Sequence, residues 1–219
     1  MTIQVKICGI NSAEAADAAV RAGAEFVGLN FHPKSPRYLV PEQAQSLADC
    51  MRGRTKLVAV TVDLGDEMLA GVLAMARPDY VQLHGTETTA RVAYVRSRFG
   101  VPVIKALAVA EPSDLADLAA YEESADMMLF DARPPAGADR TGGHGAAFDW
   151  QILRGRKFAR PWLLSGGLTP DNVARAIAVG GAHGVDVSSG VEIAPGVKSA
   201  ERIEAFVRAA RSASVGAAA

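Results

Sequence analysis

Cysteine is scarce in this chain. Two in 219 residues, Cys8 and Cys50, are too few for a disulfide framework, and no CxxC pair is present to hold a metal. Long apolar runs are missing as well. Nothing approaches the ~18 residues that a membrane helix needs, and the N-terminus has no basic region leading into an apolar stretch, as a secretory signal would. Neither sign of charge is in excess: the formal net charge is -1, which argues against a general affinity for nucleic acid. No GxGxxG follows the first apolar run, which argues against a dinucleotide-binding open sheet. The chain reads as cytoplasmic, with no nucleic-acid partner and no membrane partner.

What is present is an alternation. Short β-branched runs are separated by alanine-rich segments. The strand candidates are 3–8, 25–31, 56–62, 80–84, 101–106, 127–131, 162–165 and 184–188. Between them Ala15, Ala18, Ala19 and Ala22 follow an i, i+3, i+4, i+7 pattern, as do Ile203, Phe206, Val207 and Ala210, the spacing of an amphipathic helix. Asn11 with Glu14 reads as an N-cap and its N3 acid, Gly23 as a stop, Thr169-Pro170 as N-cap and N1, and Ser199 as the cap of the last helix. Eight β-then-α units predict an α/β protein, a (β/α)₈ TIM barrel in a single domain over 1–211, with 212–219 a disordered tail. The longest irregular stretch, 132–147, follows the sixth strand, on the face where barrel enzymes keep their sites.

Strand side chains alternate. With Cys8 inward, Lys6 and Gln4 are inward too. The same alternation groups Gln82 with His84, Val103 with Lys105, Leu129 with Asp131, and Asp186 with Ser188. In each strand the polar set is expected to face the barrel interior, so polar groups converge at the C-terminal ends, where a purely structural barrel would favour branched apolar residues. Cys8, strand-terminal and followed by Gly9, is the candidate reactive thiol, with Gly9 leaving a substrate room. Cys50, on a helix, reads as a small buried hydrophobe. Asp131 is a candidate acid rather than a loop cap. His84 is balanced between a ligand contact and an interior hydrogen-bonded histidine. Lys6 and Asp186 read first as an interior ion pair, with Asp186 and Ser188 also placed to line a ligand. His32, His144 and His183 lack ligand spacing, so no metal is expected.

The most informative stretch is "LSGGLTPDNV" at 164–173. Two glycines follow a strand and lead into a helix, so the backbone can approach a ligand and its N–H groups can hold an anion. "DVSSGVE" at 186–192 repeats the arrangement after the eighth strand. Loops after strands seven and eight, with a short extra helix, are the recurrent phosphate site of this fold. Gly166, Gly167, Ser189 and Gly190 are the expected phosphate contacts, and the expected ligand is a phosphorylated small molecule.

With "VKICGI", "FHPKSPRYL", "VQLHG", "LFDARPP" and "GGHGAAFDW" added in the same order, nearly the whole chain resembles the phosphoribosylanthranilate isomerase family of tryptophan biosynthesis. That resemblance implies an Amadori rearrangement of N-(5'-phosphoribosyl)anthranilate, with Cys8 as base and Asp131 as acid. It also implies that Arg37 binds the anthranilate carboxylate. No cofactor is implied, because the protonated imine is the electron sink. The base must lose its proton more readily than an ordinary thiol, at ~8.5, and the acid must keep its own. A monomer and a homodimer are both compatible with the pattern. Two other classes compete: a metal-dependent sugar-phosphate epimerase, which would need clustered His and Asp ligands, and a non-catalytic barrel that only binds phosphate ligands, which would leave Cys8 and Asp131 unexplained.

Overall fold

A computed structural model describes residues 2–133 and 147–213. Eight parallel strands close into a barrel in sequence order: β1 (Gln4–Cys8), β2 (Phe26–Asn30), β3 (Lys56–Thr61), β4 (Tyr80–Leu83), β5 (Val103–Val109), β6 (Met127–Ala132), β7 (Trp162–Leu164) and β8 (Gly184–Val187). Helices α1 (Ala13–Ala22), α2 (Pro41–Met51), α3 (Asp66–Ala76), α4 (Thr89–Phe99), α5 (Leu118–Ser124), α6 (Val173–Gly180) and α7 (Ala200–Ser212) occupy the connections and follow β8. The (β/α)₈ expectation therefore holds, with every strand within three residues of its expected ends. Between β6 and β7 the described residues form a 3₁₀ turn, Trp150–Leu153, rather than an α-helix. A small hairpin, β9 (Glu192–Ala194) with β10 (Val197–Lys198), is inserted after β8. Most of the 132–147 stretch and residues 214–219 of the expected tail lie outside the described residues, while α7 runs one residue past the expected end of the barrel.

Alternation divides the core in two. Val5, Ile7, Val27, Leu29, Val81, Leu83, Met128, Phe130, Val185 and Val187 pack outward under the helices. Cys8, Phe26, Val58, Val60, Ile104, Ala106, Met127, Leu129 and Leu163 fill the barrel itself. The outer layer is closed by helices that bury one stripe. In α7 that stripe is Ile203, Phe206, Val207 and Ala210, and each large side chain there contributes roughly 1.5–3 kcal/mol. Gly23 ends α1 in the left-handed conformation, φ 81°, with its N–H on the carbonyls of Ala19 and Val20.

Local expectations needed correction at four places. Ser12, not Asn11, caps α1, its Oγ accepting from Ala15 N, while Asn11 reaches across to the Gly196 carbonyl. Thr169 and Pro170 form a turn closed by Asn172, which is the residue that precedes α6. Cys50 is exposed, because the buried stripe of α2 runs through Ala44, Leu47, Ala48 and Met51 and leaves position 50 on the far side. Lys105 faces outward, since Ile104 and Ala106 take the interior positions of β5. Its ammonium donates to Glu87 Oε2 at 2.7 Å and to the carbonyls of Leu83 and Gly85. A partner carboxylate is available there, so the cation follows it.

Both side chains of the Lys105–Glu87 pair are almost fully buried. Removing one member leaves an uncompensated charge. Lys105→Met should therefore lower unfolding free energy in urea by about 3–5 kcal/mol. Lys105→Met with Glu87→Gln should lose less. Equal losses in the two variants would show that the charge left behind is not the cost.

Candidate active site

The C-terminal ends of the strands bring four groups of polar side chains to one mouth. The first surrounds Cys8, the last residue of β1 and itself buried. Lys6 lies two residues earlier on the same face, wholly buried, and donates to Asp186 Oδ1 at 2.8 Å. The other oxygen of Asp186 accepts from Ser165 Oγ at 3.1 Å. The Ser188 hydroxyl bonds the Cys8 carbonyl at 3.1 Å, and Lys198 in turn donates to the Ser188 carbonyl at 2.9 Å. Burial pushes the Cys8 thiol above its ordinary range, against the charges of Lys6 and Lys198, which draw it down.

The second group sits on β4 and β6. Asp131 is buried at the mouth. Its Oδ1 accepts from Ala132 N at 2.9 Å and its Oδ2 lies 3.2 Å from His84 Nε2. His84 follows β4, and its Nδ1 is 2.6 Å from Gln82 Nε2. With that amide nitrogen donating, the ring proton sits on Nε2 and points at Asp131. His84 is thus an interior hydrogen-bonded histidine and also a direct neighbour of the candidate acid. On the shorter way round the barrel, only β7 and β8 separate the strands that carry Asp131 and Cys8.

The third group is the pair of glycine loops. Gly166 and Gly167 have φ of 88° and 62°, which a side chain would strain. A 3₁₀ turn at Ser189–Val191 follows β8. The loops interlock: a Cβ on Gly190 would lie 1.8 Å from the Leu168 carbonyl oxygen, and one on Gly166 would lie 2.6 Å from Ala132 N. Hydrogen bonds outside the regular elements engage none of the N–H groups of Gly166, Gly167, Ser189 and Gly190 among the described residues. These four donors are therefore available to an anion.

The fourth group was only partly legible. Arg37 is buried, 4% exposed, with Nε on Glu192 Oε1 at 2.6 Å and Nη2 on Glu192 Oε2 at 2.8 Å. Lys198 donates to the same Oε1 at 2.8 Å. Burial acts to raise the Glu192 carboxyl, but the Arg37 hydrogen bonds and the charges of Lys198 and Arg37 prevail and hold it below the usual carboxylate range. Burial likewise depresses Lys198. The space beside Gly9 is also taken: a Cβ there would meet Arg37 Cδ at 2.4 Å. Gly9, at φ 75°, thus makes room for the arginine stem rather than for a substrate. Glu192 and Lys198 went unassigned in the sequence. Glu192 stood inside the quoted "DVSSGVE", whereas Lys198 carried no signal at all. Among the described residues, no group of three or more His, Cys, Asp or Glu side chains is arranged to hold a metal ion.

The family model for N-(5'phosphoribosyl)anthranilate (PRA) isomerase matches residues 5–209. The chain belongs to the PRA isomerase family. It is 52% identical over 212 residues to N-(5'-phosphoribosyl)anthranilate isomerase of Rhodopseudomonas palustris (strain BisB18), covering 97% of each chain. The phosphoribosyl anthranilate isomerase of Thermotoga maritima matches with a TM-score of 0.86 at 37% identity, over 96% of this chain and 99% of that one. A structure of a PRA isomerase in complex with reduced 1-(o-carboxyphenylamino)-1-deoxyribulose 5-phosphate matches at 0.82 and 36% identity, over the same shares. Family membership extends from β1 nearly to the end of α7, so all four polar groups lie within the PRA isomerase match.

The lowered Glu192 carboxyl has a consequence for stability. A depressed folded-state value means that the unfolded chain binds the proton more readily. The contribution is then complete above the unfolded value of ~4.3 and is lost as pH falls through the lower folded value. The stability advantage of wild type over Glu192→Gln should shrink as pH drops below about 4.3. Denaturant titrations across that range test it, and an advantage independent of pH would contradict the assignment.

Proposed function

We infer that the protein converts N-(5'-phosphoribosyl)anthranilate to 1-(2-carboxyphenylamino)-1-deoxyribulose 5-phosphate by an Amadori rearrangement, in tryptophan biosynthesis. Beyond family membership, one observation carries the reading: a strand-end thiol, a strand-end carboxyl and two interlocked glycine loops share one barrel mouth. A pure binding barrel has no use for the first two.

The chemistry needs few parts. An acid protonates the ring oxygen, the C1–O bond breaks, and the anilino nitrogen lone pair forms the iminium. A base then takes the C2 proton, and the electron pair flows into the iminium to give an enolamine, which tautomerises to the ketone. Asp131 is assigned as the acid and Cys8 as the base. His84 is assigned to orient the Asp131 carboxyl. The N–H groups of Gly166, Gly167, Ser189 and Gly190 are assigned to the phosphate, which anchors the end of the sugar remote from the chemistry. Ser188 and Asp186 shape the wall beneath them. Arg37 is assigned to the anthranilate carboxylate. Glu192 occupies the edge formed by Nε and Nη2, and the end formed by Nη1 and the second Nη2 hydrogen remains to make the contact. Among the described residues no helix is long and apolar enough to cross a membrane. A cytoplasmic location and a monomeric or homodimeric state belong to the same reading, the latter open to sedimentation analysis.

Turnover is followed by loss of the fluorescence of freshly generated substrate. Cys8→Ala should reduce kcat by about 10²-fold or more while leaving the fold intact. Asp131→Asn should do the same yet bind a product analogue almost normally, because proton transfer is made only in the transition state. More than about a tenth of wild-type kcat in either variant would remove that residue from the mechanism.

Arg37→Ala should raise KM for the intact substrate and leave binding of an analogue without the carboxylate nearly unchanged. Equal losses for both ligands would mean that the arginine only supports its loop.

A further inference from the structure

We propose that Lys6 is a positioning residue for the proton-abstracting step: its buried ammonium, held on Asp186, is the counter-ion against which Cys8 becomes a thiolate. The proposal rests on the reading of Cys8 as the base. In that step the C2–H bond breaks, the proton forms S–H on Cys8, and the electron pair moves into the C1–N iminium.

Three observations carry it. The first is that the ion pair is a weak source of stability. A buried pair is often matched or bettered by apolar residues of similar volume, and the same barrel interior is filled at neighbouring positions by Val58, Ile104 and Leu129. The second is donor capacity. An ammonium has three hydrogens to give, and among the described residues Lys6 makes one hydrogen bond, to Asp186. Two hydrogens remain on a wholly buried group. The third is the space between Lys6 and the thiol. Gly28 stands opposite Cys8 in register. A Cβ there would lie 3.1 Å from Cys8 Sγ and 3.2 Å from Lys6 Nζ, so any side chain would wedge between the two groups.

The charges around the thiol agree. Lys6 faces it from β1, Asp186 from β8 and Lys198 from β10, and β2 sets the uncharged Gly28 against it. After burial, Lys6 is the largest influence on the thiol, drawing it down ahead of Lys198, while Asp186 acts the other way. Lys6 itself is held above its ordinary range. Burial works against that, but Asp186 and Cys8 outweigh it. The ammonium therefore stays charged throughout the range in which a thiol titrates.

The test uses the full chain in a Cys50→Ala background, because the exposed second thiol would obscure the first. The thiolate midpoint is read from ultraviolet absorbance, with Cys8→Ser as the blank, and is compared with the acid limb of kcat/KM. Lys6→Met combined with Asp186→Asn leaves the interior neutral. It should raise the Cys8 midpoint by about one pH unit or more, and the acid limb should rise with it. Asp186→Asn alone frees Lys6 from its competing carboxylate and should lower the midpoint. Shifts of opposite sign are not expected from loosened packing. An unmoved midpoint in the double variant, or a rise in Asp186→Asn, overturns the proposal. If the double variant does not fold, the sign in Asp186→Asn decides. A midpoint that moves as expected while Cys8→Ala retains more than about a tenth of kcat overturns the base reading, and the catalytic role of Lys6 falls with it.

Discussion

A parallel barrel must join its first strand to its last, and here that join is made across Lys6 and Asp186. The two are direct register partners between β1 and β8, and their side chains meet at 2.8 Å inside the closed ring. Backbone pairing alone does not specify which residues face in. Two charges that can be buried only together do, because a slip of one residue would send one of them outward and strand the other. The parity of β1 then puts Cys8 inward at the mouth, and the parity of β8 does the same for Ser188. The polar lining of the site is thus a continuation of the contact that closes the barrel.

Charge at the mouth is distributed unevenly. Beside Cys8 the cation Lys6 is matched by one carboxylate. Farther out, two cations, Arg37 and Lys198, share the single carboxylate of Glu192. Among the described residues the outer cluster therefore sets two basic groups against one carboxylate in a nearly dry setting. An anionic group entering the mouth completes that arrangement instead of competing with it, which suits a ligand with a carboxylate at one end and a phosphate at the other.

Legibility in the sequence followed the range of the forces involved. Strands and helix stripes are local patterns, and all eight barrel strands were found from them, while the short β9–β10 hairpin was not. The strand-end thiol and carboxyl, and the glycine loops, were equally visible because loop chemistry is written in consecutive residues. Failures came where a nonlocal partner decides. Lys105 was assigned inward by the habit of polar residues elsewhere in the barrel, but Glu87, on the outer side, overrode it. The depth at which Arg37 is buried depends on Glu192, 155 residues away, and no spacing rule links the two. At α1 the competition was between adjacent residues: Asn11 had a more distant carbonyl to satisfy, which left Ser12 to cap the helix.

The interlock of Gly190 with Leu168 has a further implication for which changes the protein can absorb. The proposed anion cradle is assembled from peptide groups, so the side chains around it are free to drift as long as the two loops stay in contact. Position 190 has no such latitude: a Cβ there would fall 1.8 Å from a backbone oxygen that cannot rotate away. Even the smallest replacement would have to part the loops, and the proposed grip on the phosphate would be lost without any contacting side chain having changed.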